Sequence, residues 1–117
     1  MIPMAQNGST LLQIITNLGL YRKLVQQLQK DFQLSGINIE LNQSITPDEL
    51  TGILSDNIKK LMESNFDTYL QLLYRVDIAE DSIRSNQVEP VEELAEKATL
   101  SILQREWQKV YFRNKFG

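Results

Sequence analysis

With no cysteine and no histidine among its 117 residues, this chain has no disulfide, no thiolate nucleophile, no Ser-His-Asp or Cys-His catalytic group and no metal site built on nitrogen or sulfur. Its length gives one domain with room for a real core, and an apolar content of 42% beside 23% charge excludes disorder of the whole chain. The net charge of −3 argues against a nucleic-acid coat or a polybasic membrane binder, while leaving room for a local basic patch.

Residues 1–10 read as a flexible tail, because Pro3 and Gly8 break structure and nothing periodic precedes Leu11. Residues 11–117 then form the single helical domain. The first ten residues lack the positive region of a secretory signal. The run 11–20 is too short and too interrupted to span a bilayer, so a cytoplasmic location is expected. Residues 11–18 predict one or two helical turns, closed off by Gly19. Leu20, Leu24, Leu28 and Phe32 recur every four residues, with Tyr21 and Val25 widening the stripe, and predict a helix over 20–35. Gly36 suits the left-handed position past its end.

The alternation of Ile37, Ile39 and Leu41 with polar residues suggests a strand, but no second strand exists to pair with it. An extended connector that plugs the core is expected instead. Thr46, Pro47 and Glu49 match a capping box with proline at the first helical position, opening a helix over 47–63. Its apolar face is Leu50, Ile53, Leu54, Ile58, Leu61 and Met62. After Ser64 and Asn65 a helix over 66–75 turns Phe66, Tyr69, Leu70 and Leu73 to one side. Residues 76–78 break it, 79–85 predict a short helical turn with Ile83 inward, and 85–87 predict a loop. Arg75 and Asp77 are expected to pair at the helix end.

Pro90 opens a final helix over 90–114, acidic in its first turns and basic in its last, as the helix dipole favours. Two apolar stripes run along it, about 150° apart at 100° per residue. One holds Val91, Leu94, Ala95, Ala98 and Ile102. The other holds Leu100, Leu103, Trp107, Val110 and Tyr111. A surface helix needs one stripe, so either this helix runs through the middle of the fold or its second stripe is covered by the N-terminal segment, a second copy of the chain or a different protein.

The last fourteen residues carry the only Trp and four cations against one acid, a net of +3 that leaves −6 on the other 103 residues. Arg105, Lys109, Arg113 and Lys115 are therefore candidates for binding an anion, with the neighbouring aromatics able to stack on bases. Four cations are few for a nucleic-acid binder, and solvated, dipole-matching cations beside core aromatics explain the segment better. The acidic group Asp77, Glu80, Asp81, Glu89, Glu92, Glu93 and Glu96 lacks the ligand alternation and central Gly of a calcium loop, so no metal is expected. The five glycines form no phosphate loop, and no cofactor is expected.

The runs QKDFQLSG at 29–36, LLYRVD at 72–77 and REWQKVYFR at 105–113, with the Thr46–Pro47 helix start, resemble a family of small uncharacterised bacterial proteins. That resemblance implies a cytoplasmic, wholly helical protein and names no site. The expected fold is all-α: a compact irregular or orthogonal bundle of four main helices plus short helical turns. The expected function is a non-enzymatic protein-interaction module. Homodimer formation through Leu100, Leu103, Trp107, Val110 and Tyr111 is one form of it, and weak binding of nucleic acid or a phosphate ligand by the basic C-terminal segment is the alternative.

Overall fold

Side-chain caps at Asn7, Thr46 and Asn65 start three of the helices. The computed structural model describes residues 1–83 and 88–117. It contains α1 (Gly8–Asn17), α2 (Tyr21–Leu34), α3 (Pro47–Ser64), α4 (Phe66–Val76) and α5 (Val91–Phe116), with a single 3-10 turn at Glu80–Ser82 and no strand among the described residues. The fold is all-α.

The capping box is present in full. Thr46 Oγ1 accepts from the Glu49 amide at 3.2 Å, and the Thr46 amide donates to Glu49 Oε1 at 3.0 Å. The Thr46 amide, and then its hydroxyl, hold the Glu49 carboxyl below its ordinary range. Thr46→Ala should cost about 1 kcal/mol of stability. Urea unfolding checks this, and an unchanged midpoint would show that the cap contributes nothing.

Asp77 ends α4 in the left-handed region at φ 75°, and Gly36 and Gly19 take φ of 84° and 73° after α2 and α1. Asp can adopt this backbone where a branched residue cannot.

Three elements differ from expectation. α1 is a ten-residue helix that starts at Gly8, because Asn7 Oδ1 caps the Thr10 amide at 2.8 Å. Gly8 reads as a breaker in isolation, yet it sits at the first helical position, where the backbone penalty is small. The helical turn expected over 79–85 is, among the described residues, of the tighter 3-10 type at Glu80–Ser82, with Ile83 buried behind it as expected. Arg84 and the loop expected at 85–87 lie outside the described residues. Asp77 pairs with Arg105 at 3.0 Å, not with Arg75, because the left-handed turn aims its carboxylate at α5.

Residues 37–42 are extended without being a strand, and a turn at 43–44 leads to Ile45. Ile37, Ile39, Leu41 and Ile45 are all buried. Their backbone is satisfied by side chains of α2. The Gln29 amide donates to the Ile39 carbonyl and accepts from the Leu41 amide, and Tyr21 Oη donates to the Ile45 carbonyl at 2.8 Å. One glutamine thus supplies the donor and acceptor that a neighbouring strand would have offered.

The buried side chains form one cluster from Leu11 to Val110. α5 touches all four other helices, most extensively α3. At about 1.5 Å per residue its 26 residues span roughly 39 Å, against a longest molecular dimension of 37 Å. It is the axis on which the others pack, and between Ala98 and Val110 none of its residues is exposed. The radius of gyration, 13.6 Å, is that of a well-packed chain of this length.

Candidate functional site

Both sequence-derived sites lie on α5, between Leu100 and Lys115. The second apolar stripe is covered from within. Leu103, Trp107 and Val110 are buried, while Leu100 and Tyr111 are half-buried. Trp107 is 0% exposed, and its Nε1 donates to the Pro3 carbonyl at 2.7 Å. Gln104 Nε2 donates to the Ala5 carbonyl at 2.9 Å, and Tyr111 Oη to the Met1 carbonyl at 3.4 Å. Ile2, Met4 and Ala5 pack on the core. The first five residues therefore lie along the stripe. Of the three covers the sequence left open, the N-terminal segment is the one in place.

The four candidate anion-binding cations do not converge. Arg105 is held by Asp77 at 3.0 Å and by Gln108 at 3.2 Å. Lys109 turns inward to Asp31 Oδ2 at 3.2 Å and also donates to the Arg75 carbonyl at 3.3 Å. Arg113 donates to Gln27 Oε1 at 2.8 Å. Lys115 lies 5.8 Å from the ring centres of Tyr111 and Phe116. The Arg105–Lys109 strip is spent on α2 and α4, because the ends of those helices press on that side of α5.

Lys109 leads to a buried group that sequence reasoning missed. Glu106 is 0% exposed and Asp31 is 4% exposed, facing each other across the α2–α5 interface. Gln27 Nε2 donates to Asp31 Oδ2 at 2.9 Å, and Lys109 Nζ lies 3.5 Å from Glu106 Oε2. As carboxylates, Glu106 and Asp31 are acceptors only, and among the described residues neither Glu106 oxygen has a hydrogen-bond partner. A proton on Glu106 resolves this by making it a donor to Asp31. Burial, then the neighbouring Asp31, push the Glu106 carboxyl up to about 9. For Asp31, burial works upward, but hydrogen bonds from Glu106, Gln27 and Lys109 outweigh it and leave the carboxyl below its ordinary value. The pair thus divides its roles: Glu106 holds the proton and Asp31 the charge.

A signal for this pair exists in the sequence. Asp31 stands three residues after Leu28 and seven after Leu24, and Glu106 stands three after Leu103 and four before Val110. Both acids occupy stripe positions. With its acids sealed from solvent, the group offers no reacting position to a substrate.

Beyond Tyr111 the end of α5 is exposed. Phe112 and Phe116 are 47% and 74% exposed, with rings stacked 5.9 Å apart. Lys109, one turn earlier on that side, reaches the Arg75 carbonyl. Arg75 in turn lines a groove between α2 and α4 formed by Leu34, Leu70 and Tyr74. Leu34 and Tyr74 are exposed. The chain thus carries an exposed aromatic pair at the end of α5 and an open groove between α2 and α4.

Among the described residues no helix is long and apolar enough to cross a membrane. No family model, curated protein or solved structure matches the chain.

Proposed function

We propose that the chain is a non-enzymatic interaction module that pairs with a second copy of itself, through the exposed end of α5 and not through the covered Trp107 stripe. The observation that carries this reading is the exposed stacked pair Phe112 and Phe116, together with the open groove at Leu34, Leu70 and Tyr74. An exposed knob and an open groove on the same chain suit an isologous dimer, in which each knob fills the partner's groove about a two-fold axis. Burying a Phe is worth about 1.5–3 kcal/mol, enough for four rings to matter in a small interface.

Sedimentation tests this. Wild type should dimerise reversibly at tens of micromolar, roughly. Phe112→Ser with Phe116→Ser should weaken the dimer at least about tenfold, and so should Tyr74→Ser. Both positions are exposed, so helix content should be unchanged. A wild type monomeric at about 100 μM would overturn the proposal.

A further inference from the structure

On the side of α5 away from Phe112 and Phe116, its last turns face α2 across an open groove of about 450 Å³. Lys23, Gln27 and Lys30 line it from α2, and Val110, Arg113 and Asn114 from α5. Three of these side chains are cations, and among the described residues none is acidic. In a chain of net charge −3 that is a local reversal of sign.

How the cations are held matters more than their number. Arg113 is held by the neutral Gln27 carbonyl oxygen at 2.8 Å, and Lys23 by the neutral Asn114 Oδ1 at 3.0 Å. Neither contact cancels charge. Gln27 itself is buried, and its orientation is set from behind, because its Nε2 donates to Asp31. Asp31 is held in turn by Lys109. The buried acid pair thus acts as a scaffold that fixes Arg113 in the groove with most of its guanidinium N–H groups unused. The negative end of α5 offsets roughly half a charge. Even with a main-chain carboxylate at Gly117, the groove keeps net positive potential.

We infer that this groove binds a small phosphorylated anion, with Arg113 taking the phosphate oxygens side-on while Lys23 and Lys30 complete the charge. Arg matches two phosphate oxygens geometrically, and Lys supplies a point charge. The volume suits a small molecule. This is a different set of residues from the strip of Arg105, Lys109, Arg113 and Lys115 expected from sequence, sharing only Arg113, and it does not depend on dimer formation.

Pyrophosphate titrated into the full chain at low salt, followed by amide NMR shifts, tests the inference. Saturable shifts at Lys23, Gln27 and Asn114 with a dissociation constant near or below about 1 mM are expected. Binding should weaken as salt is raised. Arg113→Gln should weaken it about tenfold or more. Lys23→Gln with Lys30→Gln changes only exposed positions, so it should weaken binding comparably with an unaltered fold. The inference is overturned if shifts fail to saturate by about 10 mM pyrophosphate, or if both variants bind as wild type does. It is also overturned if a single-stranded RNA binds while pyrophosphate does not. The Phe112→Ser and Phe116→Ser variant should bind pyrophosphate normally, which separates this site from the dimer surface.

Discussion

Replacing Trp107 with alanine should lower the free energy of unfolding by about 3–5 kcal/mol, the range for deleting a fully buried large aromatic. In a domain of ordinary stability, about 5–15 kcal/mol, that is a large share of the whole. Three effects add. The side chain is entirely buried, so its removal leaves a void in α5, the helix every other helix touches. The Pro3 carbonyl loses its donor. The edge contact with Tyr111, ring centres 5.5 Å apart, is lost as well. Because this is the only tryptophan, urea unfolding must be followed by circular dichroism. Trp107→Phe separates the contributions: it keeps most of the packing and should cost less, chiefly the unpaired Pro3 carbonyl. A loss below about 1 kcal/mol for the alanine variant would mean that the N-terminal segment does not seal the stripe.

Glu106→Gln should flatten the dependence of stability on pH. The folded carboxyl is raised from 4.5 to about 9. Between those values the native state keeps a proton that the unfolded chain releases. Stability contributed by Glu106 is therefore full below about pH 4.5 and declines as pH rises through the window toward 9, at up to about 1.4 kcal/mol per pH unit. Asp31 works in the opposite sense: its carboxyl is lowered, so its contribution is lost in acid. A glutamine has the shape of the protonated acid and still donates toward Asp31, but it cannot ionise. Wild-type stability should fall between pH 6 and 9 by roughly 2 kcal/mol or more, whereas the variant should hold level and exceed wild type at pH 8. Denaturation at several pH values measures this. Parallel profiles for the two proteins would show that Glu106 does not carry the proton.

Much of the fold was legible in the chain. The α2 stripe of Leu24, Leu28 and Phe32 is buried as its spacing requires, and the Thr46 cap depends only on residues three apart. Ile37, Ile39 and Leu41 reach the core because alternation in an extended segment turns every second side chain one way. The 66–75 helix shows where such reading ends. Phe66, assigned inward, is exposed, while Leu72 and Val76 are buried, because α4 meets neighbours on two sides and one stripe does not describe it. At the N-terminus Asn7 starts a helix three residues before Leu11, a one-residue signal that Gly8 masks.

Of the candidate site, the two apolar stripes of α5 are legible in the sequence, while what covers the second one is not. Two apolar stripes are a property of helical pitch, so the requirement that something cover Trp107 follows from spacing alone. That Met1 through Ala5 supply the cover does not, since those residues have no period and are held mainly by backbone carbonyls, which every residue possesses. Local chemistry thus determined the helices, their caps and the apolar faces, because each depends on residues within a turn of one another. Only the packed chain decided that Asp31 meets Glu106, that Lys109 turns inward and that Arg113 faces Lys23. Those partners lie about 75 to 90 positions apart, and charge at that separation becomes a site only when two helices are laid side by side.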